Sequence, residues 1–423
     1  MLDITFIREN SEIVKKACRD KQLDEKKVDE LLKVDGKRKT LLLRVEELRA
    51  KSNQNAAEIK KQVQGGKKPD EKIVAAGKEI KTELKALEND LREMEEKWSD
   101  LQYQIPNVPA EDVPVGVDEG GNKVVRQVGE VPDFDFEPLD HFTLMQKLDL
   151  VDTKNAVRIG GFRSYFLKNE AVFLEQAVLN LALWMMKEHG FTSLTAPVLV
   201  RKEALLGTAY SPWGDQDHYQ TQDGEVLAGT SEVALTAFHG EQTLLEKDLP
   251  VKMVGISPCF RREVGTYGKD MKGIVRVHQF NKIEQVVLTV ADEKSTRLWH
   301  EKMVGYAEEL LLKLKLPYQV LLMCTGDMGA GQRKKYDIET WFPAQQAYRE
   351  THSASYFNDF QARRLNMKYK GVDNKTKYVY TLNNTVAATP RLLAAIIENY
   401  QTADGHIRIP EVLQPMMCGK KII

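Results

Sequence analysis

An α+β fold with a mostly antiparallel sheet, preceded by an N-terminal antiparallel α-helical coiled-coil arm, is what the sequence predicts, and three observations point to it. Two long stretches near the N-terminus carry apolar residues at alternating steps of three and four and are joined by one breaker. Farther on, β-like runs follow one another around glycine-rich turns while helical runs come in blocks, unlike the strict alternation of parallel α/β proteins. A length of 423 residues exceeds one ordinary domain and leaves room for a body beside the arm.

After a short leader of mixed apolar and charged residues (4–17), Leu31, Val34, Leu41, Val45, Leu48 and Ile59 keep a heptad register, interrupted by Arg38, Ser52 and Asn55. Ile73, Ile80, Leu84, Leu87, Leu91, Met94, Trp98 and Leu101 form a second run in which Gly77 is out of character. Between them Gly65-Gly66-Lys67-Lys68-Pro69-Asp70 stops the helix. Two helices of similar length about one short breaker make a hairpin roughly 45–55 Å long. Its distal half, residues 49–85, holds ten basic and five acidic residues, whereas residues 87–100 hold two basic and six acidic. A basic tip suits a phosphate backbone, and it equally suits a solvated, solubilising face. Residues 105–133, rich in proline and glycine, read as a linker, so the predicted organisation is 1–104, 105–133 and 134–423.

Composition removes several classes of function. Lys+Arg 61 against Asp+Glu 62 gives a formal net charge of −1, so any nucleic-acid surface must be local. Cys18, Cys259, Cys324 and Cys418 lie far apart with no CxxC or Cys/His spacing, so no zinc is expected and no disulfide framework. The first residues, MLDITFIREN, lack a basic region followed by an apolar core, and no apolar run is long enough for a bilayer. A cytoplasmic protein with no membrane partner is the expectation.

In the body, residues 170–186 are apolar almost all round, which predicts a helix buried on several sides, at a subunit interface if the chain is oligomeric. Residues 191–200 read as a strand that Pro197 restricts to an edge or bulge. Short strands follow at 226–227, 318–323, 336–341 and 378–383, with helices at 293–314 and 391–400. Between two further β-like runs, residues 264–273 contain three glycines and read as the long loop of a hairpin. Period two puts Arg261 and Glu263 on one face of its first strand, and Arg276, Phe280 and Glu284 on one face of the second. If the faces coincide, two guanidiniums, two carboxylates and a ring share one floor, equipment for a nucleotide phosphate and base. The alternative is a solvated hairpin whose charges pair across the strands. Arg391 opens the last helix after Pro390, where a cation opposes the helix dipole unless an anion is present.

Phe260-Arg261-x-Glu263, Arg276-x-x-x-Phe280 and the late Arg391 resemble motifs 2 and 3 of the class II aminoacyl-tRNA synthetases, and Pro197 after the apolar helix resembles motif 1. Gly229-Thr230-Ser231-Glu232, Val277-His278-Gln279-Phe280, Asp359-Phe360-Gln361-Ala362-Arg363-Arg364 and Glu398-Asn399-Tyr400-Gln401, with the arm, are similar to the bacterial-type seryl-tRNA synthetases. The resemblance covers essentially the whole chain and implies a class II synthetase-like catalytic domain behind a tRNA-binding arm. It implies L-serine, ATP and Mg²⁺ as substrates and cofactor, a homodimer, and tRNA(Ser), with tRNA(Sec) where present, gripped by the arm.

The same resemblance distributes the chemistry. Arg261, Glu350 and Arg391 are the implied catalytic residues. The implied ATP site is Arg261, Arg262, Glu263, Arg276, Val277, Phe280, Glu350, Thr351, His352, Ser353 and Arg391: Glu263 takes the adenine amino group, Phe280 the adenine face, and Arg391 the γ-phosphate. Thr230, Ser231, Glu232, Arg261, Glu284, Asn383 and Thr385 are implied for serine, and Glu350 with Ser353 for Mg²⁺. The sequence departs from the family's common pattern at His352, at Tyr356 and in the stretch Asn383-Asn384-Thr385-Val386, where a glycine-serine-glycine type of loop is usual. His278, Cys259 and Trp341 read as packing residues. Two rivals are a coiled-coil scaffold on a degenerate synthetase fold, which Arg261, Glu263, Glu350 and Arg391 argue against, and an amino-acid:carrier-protein ligase, which should lack the arm.

Overall fold

The computed structural model describes residues 1–264 and 273–423. The tip of the glycine-rich loop, 265–272, lies outside the described residues. The chain divides into two units, one of residues 2–19 and 23–106, the other of residues 1, 20–22 and 107–423.

In the first unit, helices α1 (Lys26–Gln64) and α2 (Glu71–Tyr103) pair along their length as an antiparallel hairpin. At about 1.5 Å per residue they run about 58 and 50 Å. Val28, Leu31, Val34, Val45 and Leu48 on α1 and Leu91 and Leu101 on α2 are buried, as the heptads predict. Arg44–Glu83 (3.0 Å) and Arg49–Glu88 (2.7 Å) bridge the helices beside the seam. Two of the misfits of the pattern face each other: Asn55 Nδ2 donates to Ile73 O at 2.9 Å, and a Cβ on Gly77 would sit 2.6 Å from Asn55 Oδ1. Glycine there admits the half-buried amide. Asp70 accepts from Lys72 N at 2.8 Å and caps α2 after the Gly65–Pro69 breaker.

The second unit is built on an eight-stranded sheet. Its strands are β1 (Lys123–Val128), β2 (Thr192–Thr195), β3 (Val251–Phe260), β4 (Gln279–Thr289), β5 (Tyr318–Leu322), β6 (Lys334–Phe342), β7 (Ala347–Asn358) and β8 (Tyr380–Ala388). Their order is β1-β5-β6-β7-β8-β4-β3-β2, antiparallel throughout except for the parallel edge pair β2–β3. Helices α3 (Glu170–Glu188), α4 (Glu293–Lys313) and α5 (Thr389–Asn399) pack with it around one core that includes Leu174, Val178, Ile283, Val287, Met303 and Leu393.

Three expectations are corrected. The stretch 105–133, read as a linker, contains β1, whose alternation is short and exposed on both faces but which completes the edge beyond β5. The strand expected over 191–200 is two pieces: β2 pairs with β3, and after Ala196-Pro197 the chain leaves for a small sheet in which Leu199–Val200 pairs with Val226–Leu227. Proline lacks the donor that would continue the ladder. The strand expected over 378–383 is Thr376–Tyr378 followed by β8, which reaches Ala388. Helix α3 is buried over much of its surface, with Leu174 and Val178 in the core, and leaves Phe173 and Trp184 63 % and 57 % exposed.

Candidate active site

Strand register and helix packing decide which side chains reach the site. On β4, Gln285 donates to Met303 O of α4 at 3.0 Å, so Glu284, its neighbour, points to the opposite face. On β8, Asn384 donates to the same carbonyl at 2.7 Å, which turns Asn383 and Thr385 away from α4 as well. The open face of the sheet carries a cavity of about 230 Å³ lined by residues of β4, β6, β7, β8, the segment after β3 and the start of α5.

Arg261, Glu263, Arg276, Val277, Phe280, Glu284, Glu350, Thr351, Ser353, Asn383, Thr385, Arg391 and Glu232 all line this cavity. Strand periodicity is not the whole reason. β3 ends at Phe260 and β4 begins at Gln279, yet Arg261 N still donates to His278 O at 3.0 Å, and His278 Nδ1 donates to Arg261 O at 2.9 Å. Glu263 then takes a left-handed backbone, φ 54°, and its carboxylate accepts from Arg276 Nη1 at 2.9 Å. Arg261 lies over the Phe280 ring, 5.2 Å from the centroid.

Four expected residues do not line the cavity. Arg262 turns out, donating to Gln216 O at 3.0 Å. Ser231 is buried against Gly255 O. Thr230 sits behind the wall, its hydroxyl accepting from Lys282 Nζ at 3.2 Å and from Glu232 N at 3.3 Å. His352 faces inward, bonded to Thr351 Oγ1 at 2.8 Å and Val386 O at 3.0 Å, and burial pulls its pKa down to about 4. Cys259 is buried and Trp341 packs edge-on against Tyr348, in keeping with their reading as packing residues.

The two ends of the cavity differ electrostatically. At one end Glu232 and Glu284 are 5 % and 1 % exposed. Burial, reinforced by Glu284, pushes the Glu232 carboxyl up to about 7, although Tyr210 OH (2.6 Å) and Gln361 Nε2 (3.1 Å) donate to it. Burial also raises Glu284, against the pull of Lys282, whose Nζ lies 2.5 Å away. At the other end Arg391 Nη1 donates to Glu350 O at 2.9 Å and to its Oε2 at 3.0 Å. Burial acts to raise that carboxyl too, but Arg391 and Lys335 outweigh it and hold Glu350 well below the usual carboxylate range. Arginine at the first turn of α5 is thus matched by an anion from β7.

Sequence reading missed Tyr210, Lys282, Lys335 and Ser355, all of which line the cavity. Lys282 and Lys335 each share a strand face with an acidic residue two positions on, Glu284 and Asp337, and period two is the signal that could have found them.

The sequence matches the seryl-tRNA synthetase N-terminal domain over residues 1–109 and the tRNA synthetase class II core domain (G, H, P, S and T) over residues 218–400. It is 42 % identical over its full length to the serine–tRNA ligase of Deinococcus radiodurans, covering 99 % of that protein. The fold superposes on the seryl-tRNA synthetase of Pyrococcus horikoshii solved with ATP with a TM-score of 0.91 at 40 % identity, covering 100 % and 99 % of the two chains. For the cytoplasmic serine–tRNA ligase of Naegleria fowleri solved with AMP the TM-score is 0.87 at 34 % identity, covering 100 % and 98 %. Full-length identity of this order, on a cavity that gathers both the arginines and the buried carboxylates, places the chain in the seryl-tRNA synthetase family of class II aminoacyl-tRNA synthetases.

Proposed function

We propose that the protein activates L-serine with ATP and transfers it to the 3′ end of tRNA(Ser), and of tRNA(Sec) where present, as a homodimer in the cytoplasm. The observation that carries this reading is the convergence of Arg261, Arg276 and Arg391 on one cavity that ends in two buried carboxylates. Phe280 receives the adenine face and Glu263 its amino group. Glu232 and Glu284, with Asn383 and Thr385 around them, receive the ammonium and hydroxyl of serine, while Thr230 supports Lys282 from behind the wall.

The serine carboxylate attacks the α-phosphorus in line and pyrophosphate departs; a ribose hydroxyl of the tRNA end then attacks the carbonyl carbon of the seryl adenylate, the anhydride C–O bond breaks and AMP departs with the hydroxyl proton released. No protein nucleophile takes part. Arg261 stands between the amino-acid end and the Phe280 ring, where it can hold the attacking carboxylate against the α-phosphate and stabilise developing charge. Arg391 and Arg276 take the outer phosphates. An ionised Glu350 open to the cavity, its side chain 44 % exposed, and the Ser353 hydroxyl beside it form an all-oxygen donor set that fits Mg²⁺, which takes one or two protein ligands plus phosphate. When bound, the ion neutralises charge on the phosphates. A pocket whose polar groups are filled by a hydroxyl discriminates strongly against alanine, because they would be left unpaired.

The arm, residues 1–104, takes the tRNA and the body, 134–423, carries catalysis. Lys78, Lys81 and Lys85 line one groove on α2 and suit phosphates without reading bases. The exposed Phe173 and Trp184 of α3 suit the contact between subunits. Serine-dependent ATP–pyrophosphate exchange tests the chemistry: no exchange with serine, or faster exchange with glycine or alanine, overturns it. Replacing Lys78, Lys81 and Lys85 by alanine leaves exchange intact, raises KM for tRNA(Ser) and lowers the salt slope of binding by about one for each phosphate no longer neutralised. Equal loss of exchange and aminoacylation would count against the arm's role.

A further inference from the structure

We propose that Lys335 is a phosphate-binding residue of this site, its ammonium taking the outer phosphates of ATP and the departing pyrophosphate, with Asp337 as the residue that positions it. The inference rests on the nucleotide reading above and adds a cation to the two arginines that the resemblance assigns to these phosphates.

Register puts Lys335 there. On β6, Lys335 lies opposite Ser355 of β7 and Asp337 opposite Ser353, so all four project to one face. Lys335, Ser353 and Ser355 line the catalytic cavity. A second cavity, about 650 Å³, adjoins it, with Glu119, Asp327, Glu339 and Arg349 in its far wall. Four residues line both: Arg276, Lys335, Glu350 and Arg391. Three cations and one carboxylate thus form the neck between them, on the side away from Phe280 and Glu232. That neck is where a triphosphate laid over Arg261 must end, and through it a cleaved pyrophosphate can reach the larger cavity.

The geometry of the ammonium supports binding and not mere charge balance. Lys335 Nζ lies 2.8 Å from Asp337 Oδ2, and the two side chains are 16 % and 6 % exposed. An ammonium has three donors, and one committed to Asp337 leaves two for the cavities. Asp337, on the central strand β6 between β5 and β7, is mostly buried and reaches only the wall of the second cavity, from which it orients the lysine at the neck. Lysine offers phosphate a compact point charge and needs no fork geometry. Arg276 and Arg391 are each held by a carboxylate, Glu263 and Glu350, so the three cations are poised around the same space on fixed anions.

Three proteins test this: the full-length wild type, Lys335→Gln and Lys335→Arg. Lys335→Gln should raise KM for ATP and for pyrophosphate in serine-dependent exchange by roughly 10- to 100-fold, the range of a lost hydrogen bond to a charged group, with KM for serine unchanged. Its affinity for AMP, which has no outer phosphates, should stay within about twofold of wild type, and Lys335→Arg should recover most of the loss. A purely structural lysine would weaken AMP, serine and ATP together; that result, or equal ATP and pyrophosphate constants in Lys335→Gln and wild type, overturns the proposal. Wild type that lacks serine-dependent exchange instead refutes the activity from which the inference starts. Should Lys335→Gln not fold, acetic anhydride labelling of wild type gives the same answer: ATP and pyrophosphate protect Lys335 from acylation at least severalfold and AMP does not, whereas equal labelling with all three overturns the assignment.

Discussion

Two carboxylates at one end of the cavity and one at the other are the same chemical group tuned in opposite directions. Glu232 and Glu284 sit in a closed pocket where burial dominates and raises both. Glu350 faces an open space, and Arg391 with Lys335 overcomes the effect of burial. Burial thus makes both carboxyls at the amino-acid end harder to ionise, and an incoming ammonium would favour their charged forms. The phosphate end rests fully charged but internally paired, Arg391 on Glu350 and Arg276 on Glu263, and awaits a polyanion that can divide those pairs. Burial sets one end and ion pairing the other.

The comparison breaks most visibly at Arg391. Replacing it by alanine removes a donor from the phosphate end and frees Glu350, and exchange should fall by roughly 10²- to 10³-fold in kcat. Lysine there should restore little, because the guanidinium uses two separate nitrogens, Nη1 on the backbone and carboxylate of Glu350 and Nε on Val275 O at 3.3 Å, a spread contact that one ammonium does not reproduce. Steady-state exchange in ATP and in serine checks this, with the serine constant expected to change least.

At the closed end, Glu232→Gln should raise KM for serine about 10- to 100-fold while leaving AMP affinity unchanged, since one charged hydrogen bond is lost and the nucleotide end is untouched. Equal weakening of serine and AMP would remove the division between the ends.

A smaller effect follows from pH. Glu232 titrates near 7 in the folded, empty protein and near 4.5 when unfolded, so the folded chain holds an extra proton between those values. Its burial therefore costs nothing below about pH 4.5, where both states are protonated, and its full cost is reached above about pH 7, so this group's contribution makes stability fall as pH rises through that window. An ammonium favours the ionised form, so serine binding should release a proton at pH 6–7 and tighten as pH rises toward 7, by at most about tenfold per unit. Calorimetry in two buffers of different ionisation enthalpy measures the release, and Glu232→Gln should abolish it.

How much of this was legible in the sequence depended on whether a residue's surroundings are local. The hairpin was readable because a heptad is a local pattern, and even two of its misfits, Asn55 and Gly77, proved to be partners. The resemblance singled out Arg261, Glu263, Phe280 and Arg391. Strand β7 was not expected at all: AYRETHSASYFN alternates no apolar residues, because it is a central strand whose polar groups are used, Glu350 and Ser353 by the cavity and His352 by the interior. Lys282 and Lys335 carry the period-two signal beside Glu284 and Asp337, but which side of the sheet that face takes depends on register between distant segments, which is not written in either one. The opposite orientation of Asn384 from Asn383 and Thr385 likewise came from where α4 packs.

The same face argument gives the smallest expected effect. Among the departures from the family pattern, three residues find partners off the cavity: His352 at Val386 O, Asn384 at Met303 O, and Tyr356 OH at Glu293 Oε1, 3.1 Å away. Tyr356→Phe removes that last bond but not the Asn358 and Arg333 contacts that also hold Glu293. It should lower stability by about 1 kcal/mol and leave the exchange constants for both serine and ATP within error of wild type. Denaturant unfolding and exchange on the same preparation check the two halves. A shift in KM without a change in stability would mean that Tyr356 reaches the nucleotide after all, and that the sheet's two faces are less separate than β7 and α4 make them.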